Sequence, residues 1–461
     1  MKNEWGEVNK AIRDKAVVAM AQMECQRHDD GWDSAQWFDG KKVNEVLLCQ
    51  DFLSRYPVKC INGRFFSVDG MLSDGEMERR LYEIVKPYLV SGVEKKVRQI
   101  VAVLKLEAHA DEMPLQLDRI HVANGTYYLN GTFQKEKEFC LNRLPVAYNP
   151  QTPEPVRWLK FLSELLEPED IPTLQEFMGY CLVPTNKAQM MMSIIGKGGE
   201  GKSRVGLVMR SILGDNMNVS NIQKVETNRF ARADLEYKLL MVDDDMKTEA
   251  LNQTNYIKSI VTMEDKMDME RKGQQSVQGV LYVRFLCFGN GALSALYDRS
   301  YGFYRRQLIL VAREPQAGRK DDKFLIEKLR GETEGIFLWC LEGLKRLIGN
   351  GYDFTVSDRA KRNLQAAIED GNNVIGFMNS DGYIRLEKGT MATSKALYQA
   401  YGRWCEDNME KAISARSFSS YLSQNEKKYG IKHSTNIPAA NGKNARGFTG
   451  VHVQVRTDCF Q

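Results

Sequence analysis

The sequence predicts an α/β protein, and three observations on its central part lead to this class. A glycine-rich segment, GKGGEGKS, follows the apolar run 191–195, which has the composition of a buried strand. An amphipathic stretch follows this segment and predicts a helix that ends at Gly214. The apolar run 239–242 predicts another buried strand, with three aspartates at its carboxyl end. Strand and helix patterns alternate over 188–318, which is typical of an α/β core.

Chain-wide properties exclude several classes of protein. The 461 residues suffice for several domains, and the net charge of +4 does not by itself indicate nucleic acid binding. No run of 18 apolar residues occurs, and the first residues lack the apolar core of a signal peptide, so we expect no membrane contact. Nine cysteines without a C-x-x-C pair favour reduced thiols over disulfides or zinc. We therefore expect a cytoplasmic protein.

The sequence on either side of the core divides into four further segments. Asn-Gly pairs between strand-like runs and two amphipathic stretches, near 76–90 and 93–108, predict a small mixed domain. Pro172 is placed to begin a helix. The predicted boundaries are an N-terminal arm at 1–44, a mixed α+β and helical domain at 45–187, the α/β core at 188–318, a helical segment at 319–389 and a basic domain at 390–461.

The glycine-rich segment fits the pattern G-x-x-x-x-G-K-[ST] between a strand and a helix. Glycines let the backbone turn its N–H groups onto phosphate oxygens. Lys202 is expected to reach the β- and γ-phosphates, and the Ser203 hydroxyl to bind Mg²⁺. The pattern therefore predicts ATP and Mg²⁺ as ligands. The predicted loop consists of Gly196, Lys197, Gly198, Gly199, Glu200, Gly201, Lys202 and Ser203.

The three aspartates after the strand 239–242 supply what hydrolysis of a phosphate bond requires besides the loop. Asp243 is expected to hold Mg²⁺ through its water shell, and Asp244 to polarise the attacking water. A shift of one residue would move these roles to Asp244 and Asp245. An acidic turn without a chemical role is the alternative interpretation.

Polar residues also adjoin two later apolar runs. Asn290 ends the run 283–290, where an amide can hold the attacking water or sense the phosphate; a turn residue is the alternative. Arg305 and Arg306 precede the run 307–311, and strand alternation predicts that they point to opposite faces. One of them is expected to act as an arginine finger in a neighbouring subunit, and a local ion pair is the alternative.

The order of these motifs resembles that of superfamily 3 helicases, which are hexameric AAA+-related motors of viruses, phages and mobile elements. The chain is most similar to the helicase part of poxvirus-type and satellite-phage primase–helicases, over roughly 45–461. The stretches NGTYYLNGTF, TLQEFMGYCL and GFYRRQLILV carry this likeness. The resemblance implies a P-loop AAA+-like motor, a homo-hexamer, ATP hydrolysis at subunit interfaces, 3′-to-5′ movement on DNA and a location in the host cytoplasm. It also favours Arg306 over Arg305 as the finger.

The resemblance further implies a hairpin that contacts single-stranded DNA in the central channel. Lys258 and Asp265 correspond to positions of the segment that ends in this hairpin, and Lys272 corresponds to its tip. Lys266 and Arg271 are nearby cations of the same segment. From the residues alone, RKGQQ is a basic turn between strand-like runs, and a solvated hairpin is the alternative.

The sequence departs from the family pattern in three places. Asp244 stands where the family usually has glutamate. Aspartate is one methylene shorter, so either the attacking water occupies a shifted position or Asp245 takes part in polarising it. Gly273 follows the tip lysine where some relatives have an aromatic residue or histidine, which favours phosphate contact over base stacking. Residues 1–110 offer no D-x-D between apolar runs, so we expect no primer synthesis by this chain and a separate primase as a further partner.

The C-terminal part predicts a winged helix that binds double-stranded DNA. Eight basic residues and one acid between Lys411 and Arg456 give a local net charge of +7, although a solvated basic face is the alternative. Aromatic residues at helical spacing, including Tyr401 and Trp404, are expected to form its core. The cations expected to contact DNA are Arg416, Lys427, Lys428, Lys443 and Arg446.

These observations lead to one principal hypothesis and two alternatives. The principal hypothesis is an ATP-dependent hexameric helicase that unwinds DNA during replication of a phage, satellite or other mobile element. The first alternative is an origin-binding initiator that uses ATP for assembly, and the second is a regulatory or defence ATPase. Processive separation of tailed duplexes distinguishes the principal hypothesis from both.

Overall fold

A computed structural model of the chain shows two compact units. They comprise Met1–Thr152 with Ile212–Asn216, and Pro153–Ser211 with Met217–Gln461. The residues that the structure describes are 32, 34–246, 251, 253–262, 266–273, 275–294, 301–316, 318, 321–439 and 442–454. Most of the predicted arm at 1–44 therefore lies outside the described residues.

The first unit packs amphipathic helices against a small antiparallel sheet. Trp37 and Val43, which precede the predicted boundary at residue 45, are buried in this core. Asn62 and Gly63 both have positive φ, 48° and 75°, and form the predicted turn between the first two strands. Both helices predicted for this region are confirmed. The described elements are α1 Glu45–Arg55, β1 Lys59–Ile61, β2 Arg64–Ser67, β3 Gly70–Leu72, α2 Asp74–Val85, α3 Val93–Glu107, β4 Arg119–Val122, β5 Gly125–Tyr128 and β6 Phe133–Gln134.

A parallel sheet forms the core of the second unit and confirms the predicted α/β class. Its strands are near-continuous apolar runs because helices cover both faces of such a sheet. The described strands are β7 Met191–Ile195, β8 Met217–Val219, β9 Leu240–Met246, β10 Met267–Met269, β11 Val277–Gly279, β12 Arg284–Gly289 and β13 Gln307–Val311. The strand order is β13–β7–β12–β9–β8, and β10 pairs with β11 as a separate antiparallel hairpin.

Strand β9 is longer than its apolar run predicts. The prediction placed the three aspartates after a strand ending at Val242, and this is wrong because β9 continues through them to Met246. Main-chain pairing with β12 extends the strand: Asp243 pairs with Cys287 and, across an irregularity, Met246 with Gly289. The side chains of Asp244 and Asp245 are exposed to solvent, whereas Asp243 is buried.

Helices surround the sheet of the second unit. Pro172 lies in the first turn of its helix, as predicted. Glycine at 179 and 343 allows two helices to touch, since a side chain at either position would collide with the facing backbone. Every helix among the described residues is too short or too polar to cross a membrane. The helices are α4 Val156–Leu165, α5 Ile171–Tyr180, α6 Ser203–Leu213, α7 Ile222–Thr227, α8 Arg229–Ala233, α9 Asn255–Thr262, α10 Tyr301–Tyr304, α11 Leu325–Arg330, α12 Thr333–Gly349 and α13 Asp358–Gly371.

The C-terminal part of the second unit has its own hydrophobic core. Tyr401 is fully buried and Trp404 packs against this core, as predicted for the aromatic residues. The core reaches back to Val374 and Phe377. The described elements are α14 Asn373–Met378, β14 Ile384–Thr393, α15 Ser394–Asp407, α16 Ala415–Gln424, α17 Glu426–Tyr429, β15 Lys432–Pro438 and β16 Asn444–Val453. An antiparallel sheet of order β14–β16–β15 covers this core.

Candidate functional site

The glycine-rich loop joins the carboxyl end of β7 to the first turn of α6. Gly198, Gly199 and Gly201 have φ of 112°, 82° and 99°, which other residues rarely adopt. The Gly196 N–H donates to the carbonyl of Gly289 at 3.1 Å, so the loop is fixed to the end of β12. The backbone therefore turns sharply beside two neighbouring strands, as an anion-binding loop requires.

Lys202 and Glu200 form a buried ion pair inside this loop. The Lys202 ammonium donates to Glu200 Oε2 at 2.6 Å, and the Gly198 N–H donates to Glu200 Oε1 at 2.8 Å. Only 8% of Lys202 and 2% of Glu200 are exposed. Burial alone would raise the pKa of Glu200, but hydrogen bonds from Lys202 and backbone N–H groups outweigh it and hold that pKa below its ordinary value.

The sequence prediction treated Glu200 only as one member of the loop and missed this contact. The signal for it is a carboxylate two residues before the lysine, in a segment otherwise made of glycine. By contrast, Lys197 lies on the outer side of the loop, where it is exposed and pairs with Glu314 at 2.5 Å. Such surface pairs contribute little to stability.

Asp243 is the buried member of the aspartate triplet. Its carboxylate accepts a hydrogen bond from the Ile222 N–H at 2.7 Å, at the start of α7, and 3% of the residue is exposed. Burial raises its pKa above the ordinary value, despite the opposing effect of backbone hydrogen bonds. Asp244 and Asp245 are exposed. The structure thus separates one shielded carboxylate from two that face solvent.

The parallel sheet brings the residues of the predicted nucleotide site together at the carboxyl ends of its strands. Parallel strands end at the same edge, so the loop after β7, the aspartates of β9 and the exposed Asn290 after β12 are neighbours. Gly206 lets the start of α6 pass over Phe288 of β12, because a side chain there would lie 3.0 Å from that ring. This packing places Ser203, the first residue of α6, at the same edge as the loop.

The two arginines lie at the amino-terminal ends of the parallel strands, opposite the carboxyl ends that carry the glycine-rich loop. Arg305 and Arg306 form a turn between α10 and β13, so the prediction that strand alternation separates them is wrong. The carbonyl of Arg306 accepts from the Met191 N–H at 2.8 Å, at the start of β7. Arg305 is exposed, whereas the half-buried Arg306 donates through its guanidinium to the carbonyl of Gly302.

The hairpin β10–β11 confirms the predicted basic turn between strands. Lys272 is exposed in this turn beside Gly273, whose φ is 75°. Lys266 is exposed just before β10, but Arg271 forms an ion pair with Glu236 and is half-buried. Of the other two positions that the family resemblance singled out, 258 lies in α9 and 265 lies outside the described residues.

The cations predicted to contact DNA in the C-terminal part are all exposed. They occupy two neighbouring helices and the β15–β16 hairpin, whose turn precedes β16. These exposed residues are Arg416, Lys427, Lys428, Lys443 and Arg446.

Comparison with known proteins relates the chain to others by fold. A sequence-family profile described as "Family of unknown function (DUF5906)" matches residues 194–306. No curated protein sequence matches the chain. The solved structure titled "The A form apo structure of NrS-1 C terminal region-CTR" has a TM-score of 0.50 and 11% sequence identity, covering 88% of this chain and 99% of that chain. Two further structures of the NrS-1 C terminal region have a TM-score of 0.48.

The sheet and these comparisons together give the fold class of the protein. The chain is an α/β protein with a parallel sheet like that of nucleotide-binding domains, and its fold is similar to that of the NrS-1 C terminal region. At 11% identity this similarity concerns the fold alone.

Proposed function

We propose that this chain is an ATP-driven DNA helicase that works as a ring of identical subunits in the replication of a phage, satellite or other mobile element. The observation that carries the proposal is the convergence of the glycine-rich loop, the aspartates and Asn290 at one edge of a parallel sheet. Ligands of open parallel sheets bind at this edge, where helices begin and strands end. The resemblance of the motif order to superfamily 3 helicases supports the same conclusion.

The residues present fit a nucleotide and a magnesium ion. The inward-turned backbone and Lys202 suit a triphosphate, and Ser203 with Asp243 suits Mg²⁺, which is commonly held by one or two protein groups and the phosphates. Mg²⁺ would neutralise the charge that develops on the phosphates. The exposed Asp244, or Asp245 beside it, would orient and deprotonate the attacking water, and Asn290 would hold that water.

The position of the arginines supports a site shared between subunits. Arg305 and Arg306 are separated from the loop of their own chain by the length of β13, about 16 Å for a five-residue strand. An arginine at that edge is therefore suited to a neighbouring subunit's nucleotide. In this structure Arg305 is the more exposed of the two, and we take it as the finger, with Arg306 as the alternative.

The basic elements support binding of DNA. The exposed Lys272 at a hairpin turn suits a phosphate of a single strand. The C-terminal order of helix, strand, three helices and two strands, with the β14–β16–β15 sheet, suits a winged helix on a duplex. A separate primase would complete replication.

Strand separation on tailed duplexes tests this function. With ATP and Mg²⁺ the protein should unwind a duplex that carries a 3′ single-stranded tail and should fail on a blunt duplex of the same sequence. ATP binding and duplex binding without strand separation would favour the origin-binding initiator, a function supported by the exposed cations of the C-terminal part.

A further inference from the structure

Inside the glycine-rich loop, a carboxylate contacts the groups that would bind phosphate. The Glu200 side chain folds back into the loop and accepts hydrogen bonds from Lys202 at 2.6 Å and from the Gly198 N–H at 2.8 Å. Its carboxylate lies so close to Gly196 that a Cβ at that position would be 2.6 Å from Oε1. An ammonium and an inward backbone N–H are the donors that such loops present to phosphate oxygens.

We propose that Glu200 is an internal competitor of the nucleotide, whose carboxylate must leave Lys202 and the Gly198 N–H before a phosphate can bind them. This inference rests on the proposed function of the loop as a nucleotide site. A carboxylate and a phosphate present the same charged oxygen acceptors, so both cannot use these donors together. In the free loop Glu200 thereby neutralises the charge of Lys202, and nucleotide affinity is lower than the donors alone would give.

Because Lys202 is buried, the competition between Glu200 and the nucleotide should change nucleotide affinity by a measurable amount. A buried lysine without a partner is costly, so Glu200 stabilises the free loop. Loss of a single hydrogen bond to a charged group on nucleotide binding corresponds to roughly ten-fold or more in affinity.

Calorimetric titration of the full-length protein with ATP and Mg²⁺ tests the proposal. Glu200→Gln keeps the size of the side chain but removes its charge, and Glu200→Ala removes the carboxylate entirely. Both variants should bind ATP at least about ten-fold more tightly than the wild type. Inorganic pyrophosphate should show the same gain, whereas adenosine, which has no phosphate, should bind equally to all three proteins.

Glu314→Gln is the matched control, because it removes one carboxylate next to the same loop without touching the buried pair. Glu314 is exposed and pairs with Lys197 at the surface, so ATP affinity should change less than about two-fold at physiological salt. An equal gain in this variant and in Glu200→Gln would mean that general charge, and not occupation of the loop, sets affinity, and would overturn the proposal.

Two results separate this inference from the proposed function. If the wild type binds ATP in a manner that depends on Lys202, but both Glu200 variants with intact unfolding transitions bind no more tightly, Glu200 positions the lysine and the inference is wrong. If ATP binds to none of these proteins, or binds equally to Lys202→Ala, the nucleotide site itself is wrong and the inference is lost with it.

Discussion

The second unit carries the charges of its two candidate sites in contrasting ways. At the carboxyl edge of the parallel sheet, Lys202, Glu200 and Asp243 are more than nine-tenths buried and each has a specific hydrogen-bond partner. In the C-terminal part, the candidate DNA-binding cations are exposed on helices and a hairpin.

This difference predicts how substitutions will behave. A buried charge has fixed partners and one geometry, so its removal has a large effect that a neighbour cannot replace. Exposed cations act through a shared field on a polyanion, so their removal gives smaller and nearly additive effects that depend on salt. Substitutions in both regions test this contrast, and substitution of Arg305, which lies in neither region, tests the shared site.

Arg305→Ala should reduce ATP turnover by a factor of ~10³ or more, because an arginine finger stabilises charge on the transferred phosphate. ATP binding should persist, because the loop belongs to the other subunit. Steady-state turnover and ATP titration measure the two quantities. Arg306→Ala should have a smaller effect, since its guanidinium already donates to Gly302 within the same turn.

Mixing Arg305→Ala with Lys202→Ala protein supplies the control. Mixed assemblies contain some interfaces with an intact lysine on one side and an intact arginine on the other, so part of the activity should return. Full activity of isolated wild-type monomers would contradict a shared site.

Lys202→Ala should lower ATP turnover by about 10²–10³, the usual effect of losing a preorganised group that stabilises developing charge. Duplex DNA affinity should remain at the wild-type value, because the loop and the C-terminal part have separate cores. Turnover and duplex binding are to be measured on the same preparation. Wild-type turnover in this variant would exclude the loop as the nucleotide site.

Replacement of Arg416, Lys427 and Lys428 by glutamine should weaken duplex binding without changing ATP turnover. For each DNA phosphate that the variant no longer neutralises, the slope of log affinity against log salt should fall by about 1. The triple replacement of Lys41, Lys42 and Lys95, which are exposed in the first unit, is the matched control for net charge. Equal slopes for the two triple variants would show that the C-terminal cations form only a solvated face.

Asp243→Asn should raise the Tm of the nucleotide-free protein slightly, by roughly 2 °C, and abolish ATP turnover. Burial disfavours the charged carboxylate, while asparagine keeps an acceptor for the Ile222 N–H. Asp244→Asn should also lose turnover but leave the Tm unchanged, because this carboxylate is exposed. Thermal unfolding of both variants measures the difference; a lower Tm for Asp243→Asn would mean that the native charge is stabilising.

The sequence determined the local features of this protein. Strand β7 has the predicted bounds, Met191–Ile195, because a short apolar run before glycines leaves few alternatives. The inward positions of α6, such as Val205 and Ile212, are buried as helical spacing predicts. The Lys272 turn and the helices of the first unit follow in the same way from turn residues and amphipathic spacing. Such features depend on residues a few positions apart in the chain.

Only the tertiary structure decided the features that depend on distant residues. Pairing with β12 extends β9 through the aspartates, and α7 supplies the N–H that holds Asp243. The order of the strands places Asn290 beside the glycine-rich loop. Their parallel direction places Arg305 at the opposite, amino-terminal ends of the strands. Glu200 turns inward because Lys202 and the Gly198 N–H are donors that burial leaves in need of an acceptor. A one-dimensional pattern records which side chains are present, but hydrogen-bond partners and burial are set by which segments the fold brings together.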